Sequence, residues 1–415
     1  MAVTISHPIL PFKSTLMNKT ITIELDTGTL RLDLEPGRIP LHRLLGFAAR
    51  VSSKRKFLLV SKVLGKHYPV SPKLMSWSYR ALARAVIKAS IGRSSLWIGM
   101  AETATGLGYG VFEAACQEGA ADALFLQTTR YHLKDKERLE FEEAHSHATD
   151  FFLYYPVQAD YRKQFLSAEI LVLIDDEIST GKTFLRLIKA YQAVNTQLTK
   201  VFIVSLVNFA HPDDRAALEA QAGVEVEWIC FRQGILHFED RANATLDNIT
   251  VNVSGNGECK QHLLAWPGRL GIAAPINLGD DVIADLYQSG LSPECTDPRP
   301  LLVLGTGECN APAYLLGRIL ENAGFKVKIQ STTRSPIHVG NDIALVCQFE
   351  DNYHDNIINF IYNLNPEHYR DIILCHETPL GPELIDRLHA WNAISARFEL
   401  NQHDENHAKL HFFRP

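Results

Sequence analysis

The chain has 415 residues, 46% of them apolar and 21% charged, with 25 Gly and 19 Pro. These fractions exclude disordered, collagenous and coiled-coil classes and leave room for two or three globular domains. No apolar run approaches the roughly 20 residues of a membrane-spanning helix. Met1–Phe12 lacks the basic-then-apolar pattern of a secretory leader, so the expected compartment is the cytoplasm. The formal charge of -6 hides a block from Pro36 to Ala101 with thirteen Lys and Arg and no acid. Such a block attracts anions, whether nucleic acid or a small polyphosphate. Seven scattered cysteines without a Cys-x-x-Cys pair argue against a zinc site or a disulfide framework.

In chain order, Thr20–Glu35 predicts a β-hairpin: Ile21, Ile23 and Leu25 alternate with polar residues, Asp26-Thr27-Gly28 turns the chain, and Leu30, Leu32 and Leu34 alternate back. Leu74–Ile91 has helical spacing, and Leu96–Gly99 predicts a short buried strand. A turn rich in glycine (Gly106, Gly108, Gly110) and a helix through Ala115 follow. The apolar runs Ala123–Gln127, Ile170–Ile174, Val201–Val207 and Val224–Phe231 predict strands, with a helix at Thr183–Ala193 and a very polar stretch at Tyr131–Asp150. Short apolar strands alternating with helices indicate a parallel sheet covered on both faces.

The rhythm lapses over Glu239–Pro300 and then resumes. It predicts strands at Leu301–Leu304, Lys326–Gln330, Ile343–Phe349 and Asp371–Cys375, and helices at Pro312–Ala323, Asn352–Leu364 and Pro382–Trp391. The expected organisation is an α/β domain over 1–240, a connector over 241–298 and a smaller α/β domain over 299–415.

The densest chemistry lies in Leu171-Val172-Leu173-Ile174-Asp175-Asp176-Glu177-Ile178-Ser179-Thr180-Gly181-Lys182-Thr183. Gly181-Lys182-Thr183 suggests a nucleotide P-loop, but that signature needs glycine five residues before Gly181, where Asp176 stands. The sequence suits a phosphorylated sugar instead. Ser179, Thr180, Gly181, Lys182 and Thr183 open a helix whose N–H groups and hydroxyls can take one phosphate. Asp175 and Asp176, at the carboxyl end of a strand, can accept hydrogen bonds from adjacent ribose hydroxyls. The remaining reading is an acidic helix cap.

This stretch resembles the PRPP-binding motif of type I phosphoribosyltransferases: four apolar residues, two acids, two apolar, then Ser/Thr-Ser/Thr-Gly-x-Ser/Thr, with Glu177 departing from the pattern. The resemblance implies a type I phosphoribosyltransferase fold, with Asp175 and Asp176 on the ribose 2′- and 3′-hydroxyls and Ser179–Thr183 on the 5′-phosphate. It also implies Mg²⁺ accompanying PRPP, held in part by the two aspartates, and a homodimer. About 70 residues upstream, Ile98–Gly108 resembles the family's pyrophosphate loop, which makes Glu102, Thr103, Ala104, Thr105 and Gly106 candidate pyrophosphate contacts. Arg130 and Lys134, at the head of the polar stretch, correspond to the mobile loop that brings cations to the leaving group. His145 and His147 in that stretch are candidates for a metal pair or a proton shuttle, against the alternative of a solvated loop.

The string Gln330-Ser331-Thr332-Thr333-Arg334-Ser335-Pro336, after Leu304-Gly305-Thr306-Gly307-Glu308, resembles the TRSP domain. That domain is found fused behind phosphoribosyltransferases in bacterial tellurite-resistance-type gene clusters. Gly305, Thr306, Gly307, Glu308 and Arg334 are candidates for a second, anion-holding site. The expected activity is PRPP-dependent formation or cleavage of an N-glycosidic bond to a nitrogenous base, with release of pyrophosphate, in a nucleoside-like metabolite pathway. The rival is a non-catalytic PRPP sensor. Nucleic-acid binding ranks last, because the basic block shows no regular pairing of aromatics with cations.

Overall fold

The computed structural model describes residues 19–415 except 52–54, 91, 121, 140, 142–150, 242–263, 293–296, 354–356 and 402–405. His145 and His147 lie outside the described residues. A seven-stranded sheet forms the first half. From edge to edge it runs Lys19–Leu25, Gly28–Leu34, Glu225–Asp240, Lys200–Asn208, Ile170–Ile178, Ser95–Gly99 and Ala123–Gln127. The last five strands are parallel, and the hairpin joins antiparallel through the second half of Glu225–Asp240. Hairpin leucines 30, 32 and 34 face the core, as their alternation requires. Helix Thr105–Gln117 packs on Ser95–Gly99, Ala123–Gln127 and Ile170–Ile178, helix Pro72–Ser90 packs on Glu225–Asp240 and Lys200–Asn208, and Lys182–Val194 follows the strand that carries the acids.

The chain reverses its direction of winding between Ser95–Gly99 and Ile170–Ile178, which lie side by side. Ligands of open α/β sheets bind outside the carboxyl ends of the strands at such a point.

The second half has a five-stranded sheet ordered Val327–Ser331, Leu301–Gly305, Ile372–His376, Ile394–Leu400 and Ala408–Phe413, parallel apart from its last strand. The helix expected over Asn352–Leu364 is instead a strand, Ile358–Tyr362, paired antiparallel with Val346–Glu350. Its apolar residues alternate between two clusters, Phe360 and Tyr362 on one face and Ile361 on the other, so a strand buried on both faces reads as a continuous apolar run. A two-stranded ribbon in the basic block, Leu45–Ala49 and Phe57–Ser61, was not evident from the sequence pattern.

The carboxyl ends of the two sheets face each other. Helix Asn310–Asn322 of the second half packs on Thr105–Gln117 of the first, with Arg318 bonded to Glu113 and the Asn310 amide donating to Thr105 at 2.9 Å. Residues 264–292, inside the expected connector, are also tied in. Ile272 bridges Phe125, and Arg269 is buried between Glu308 and Glu377. No helix among the described residues is long and apolar enough to cross a membrane.

Candidate active site at the meeting of two sheets

A cavity of about 400 Å³ opens where the two sheets meet. Its floor is the end of Ile170–Ile178, which carries Asp175, Asp176 and Glu177 before Ser179. The strand runs through the acids instead of stopping at Ile174, and Phe209 N–H still donates to the Ile178 carbonyl at 2.8 Å. Gly181 then turns the chain into the helix with φ +75°. That conformation favours glycine, and a Cβ there would sit 2.9 Å from Leu218 Cδ1, which would have to shift. The helix begins at Lys182. Ser179, Thr180 and Lys182 are exposed, and the first-turn N–H groups have no intrahelical partner.

Burial and neighbouring Asp176 push the Asp175 carboxyl well above its usual range; burial and Glu177 push Asp176 up to about 6. Arg55 is bonded to Glu177, which leaves the aspartate pair rich in negative charge and suited to a hard cation or to sugar hydroxyls. Among the described residues no three His, Cys, Asp or Glu converge as a metal cage. Mg²⁺ bound through one or two carboxylates plus ligand oxygens needs no such cage, and the aspartate pair fits that mode.

The second wall is the loop Ala101-Glu102-Thr103. Ala101 N–H donates to Thr128 Oγ1 at 2.8 Å, and the Ala101–Glu102 peptide is cis. Only this part of the expected pyrophosphate loop lines the cavity. Ala104, Thr105 and Gly106 are buried at the start of the helix, with Gly106 against Asn310. The glycines there serve packing: a Cβ on Gly108 would lie 2.6 Å from Gly99 Cα, so the pair lets helix and strand touch. Glu102 is buried and receives the Lys66 ammonium at 2.9 Å, with Arg334 Nε at 3.5 Å. Although burial opposes it, Lys66 and Arg334 hold the Glu102 carboxyl below its usual range.

Arg130 lines the cavity with its guanidinium over the Phe151 ring, 4.5 Å from the centroid, whereas Lys134 is exposed and outside the lining. Part of the basic block is matched by acids elsewhere in the fold: Lys56 with Asp240, Lys62 with Asp342, Arg84 with Glu118 and Arg93 with Glu169. Arg50 and Arg55, on the ribbon, reach the cavity.

The roof comes from the second half. Thr333-Arg334-Ser335-Pro336 lines the same cavity as Asp175 and Asp176. Arg334 donates to the Tyr131 hydroxyl at 2.6 Å and stands over that ring. The residues expected to form a separate second site therefore divide: Arg334 joins the first cavity, and Gly305–Glu308 lies behind it. Thr306 N–H donates to Cys375 O and Gly307 N–H to Thr332 Oγ1, while Glu308 accepts from Thr129 and Arg269. Sequence spacing gave no sign that these loops would meet, since about 160 residues separate Asp175 from Arg334; the only pointer was that each follows a strand end.

A family described as phosphoribosyl transferase matches residues 44–235, and the TRSP domain C-terminal to it matches 267–391. No curated protein matches the chain. Among solved structures, adenine phosphoribosyltransferase from Giardia lamblia is 17% identical, covering 46% of this chain and 94% of its own, with TM-score 0.32. The adenine enzyme of Trypanosoma brucei is 13% identical, covering 45% and 76%, with TM-score 0.32. Orotate phosphoribosyltransferase from Mycobacterium tuberculosis is 16% identical, covering 46% and 91%, with TM-score 0.27.

Proposed function

From the match of residues 44–235 to the phosphoribosyl transferase family and of 267–391 to the TRSP domain that follows it, we propose that the protein transfers the ribose-5-phosphate of PRPP to a nitrogenous base. The observation that carries this proposal is the one cavity in which an aspartate pair, Ser179 at the head of the helix-opening turn and several arginines meet; Thr180–Thr183 follow just outside its lining. Ser179–Thr183 take the 5′-phosphate, Asp175 and Asp176 the ribose hydroxyls, and Glu102, Thr103 and Arg130 the pyrophosphate. A base nitrogen forms a bond to C1′ as the C1′–oxygen bond breaks. The bonding electrons leave with pyrophosphate, and the base gives up its N–H proton. The protein's contribution is positioning and stabilisation of the departing anion. Mg²⁺, held by Asp175 and Asp176 together with PRPP, supplies charge neutralisation when bound. In this proposal residues 1–240 carry the transfer, 241–298 connect, and 299–415 form the TRSP domain, in a homodimer working in the cytoplasm.

Calorimetric titration with Mg²⁺-PRPP and with ribose 5-phosphate tests the site. Both are expected to bind, with at least tenfold loss in the Asp175→Asn/Asp176→Asn double variant. Failure of both to bind the wild type overturns the proposal.

A further inference from the structure

The roof of the cavity is one continuous piece built from both halves. Val51 N–H donates to Pro336 O at 3.0 Å and His338 N–H to Ala49 O at 2.9 Å, so the Ser-Pro end of the TRSP string is stitched to the ribbon beside Arg50. Four cavity-lining residues, Arg50 (Nε), His67 (Nε2), Ser335 (Oγ) and Glu177 (Oε2), are among those with a buried polar atom that has no hydrogen-bond partner among the described residues. His67 is itself only 5% exposed. Buried polar groups are ordinarily paired, so a group of such atoms in residues that line one cavity points to a polar ligand there. Arg50, His67 and Ser335 stand apart from the groups assigned above to the sugar, its phosphate and the pyrophosphate, whereas Glu177 is paired through its other oxygen with Arg55. Leu58 and Leu59 line the cavity beside them, and a flat ring needs such apolar contact.

We propose that Arg50, His67 and Ser335 form the acceptor subsite, which receives a nitrogen heterocycle carrying carbonyl or carboxylate oxygens, so that the TRSP string selects the acceptor of the transfer. This inference rests on the phosphoribosyl-transfer reading and names the partner substrate class of the same site. Arg50 has only donors to offer and Ser335 has one, so at least two of the three groups favour an acceptor with oxygens. Burial, with Lys66 and Arg50 alongside, pushes the His67 imidazole down to about 3, so the ring is neutral and can take either role. A site built to hydrogen-bond a ligand oxygen rejects the analogue without it, because its own buried groups are then left unpaired.

The test uses the full-length protein. Mg²⁺-PRPP is titrated first; then orotate, nicotinate, hypoxanthine and, as the oxygen-free control, adenine are titrated into protein saturated with a non-hydrolysable PRPP analogue. The comparison is among wild type, Ser335→Ala and Arg50→Gln. Ser335→Ala leaves the main chain able to keep its bonds, since Ser335 N–H donates to Thr333 and its carbonyl accepts from Tyr362; thermal melts check both variants. At least one oxygen-bearing ring is expected to bind more tightly than adenine. Each variant should weaken it about tenfold or more, with PRPP affinity changed less than threefold. Preference for adenine, no binding of any oxygen-bearing ring, or variants that weaken PRPP in place of the ring overturn the acceptor assignment while transfer stands. Absence of PRPP binding in the wild type overturns both.

Discussion

Glu308, from the helix-opening turn of the second sheet, accepts the main-chain N–H of Arg130 at 2.9 Å. The same carboxylate accepts from Thr129 Oγ1 at 2.7 Å and pairs with Arg269, which also holds Glu377. Glu377 in turn accepts from the Tyr353 hydroxyl and the Trp266 N–H, so this buried cluster is well supplied with hydrogen bonds. The second half of the chain thereby fixes the main chain of Arg130, which lines the cavity.

Removing one partner of a buried ion pair leaves an uncompensated charge. Glu308→Ala is expected to cost about 3–5 kcal/mol of stability and to raise KM for PRPP by freeing the Arg130 main chain. Urea unfolding and steady-state kinetics measure the two effects; unchanged values of both would show that the domains are coupled elsewhere.

The aspartate pair makes the site pH-sensitive. The Asp176 carboxyl has a folded pKa raised above its unfolded value, so its contribution to stability is full below about pH 4 and is lost as pH rises through about 6. Asp176→Asn should therefore stabilise the ligand-free protein by roughly 1–2 kcal/mol at pH 7.5 and give almost no gain at pH 4. PRPP affinity of the wild type should fall as pH drops below about 6. Melting curves and titrations across pH 4–8 read both trends, and a flat difference between wild type and variant would contradict them.

Gly181→Ala places a side chain where φ is +75° and Leu218 is 2.9 Å away. The expected cost is about 1–2 kcal/mol, together with weaker ribose 5-phosphate binding because the phosphate turn opens. Wild-type affinity in a folded variant would show that this turn does not hold the phosphate.

Arg334 bonds the Tyr131 hydroxyl and faces Glu102 in one geometry. Arg334→Ala should lower kcat/KM for PRPP about a hundredfold. Arg334→Lys should recover little, since a lysine cannot reproduce the planar fork. Full rescue by lysine in a kinetic assay would reduce its role to simple charge.

The strand, turn and helix that carry Asp175–Thr183 were legible because the stretch is contiguous and its pattern is local. Strand positions such as Ala123–Gln127 were legible because buried parallel strands are short apolar runs. The roof was not, because Arg50, His67 and Ser335 meet only through the pairing of a ribbon with a loop nearly 300 residues away. Gly106 and Gly108 suggested a ligand loop, but the structure uses them for helix–strand and domain contact, a role that sequence alone does not separate from phosphate binding. Ile358–Tyr362 was misread as helix for want of a polar face.

Pyrophosphate release from Mg²⁺-PRPP, followed with each of a panel of purine, pyrimidine and pyridine acceptors, is the most direct measurement. Phosphoribosyl transfer predicts turnover with at least one acceptor, abolished in Asp175→Asn/Asp176→Asn. Tight PRPP binding with no pyrophosphate from any acceptor would contradict it and leave a sensor in its place.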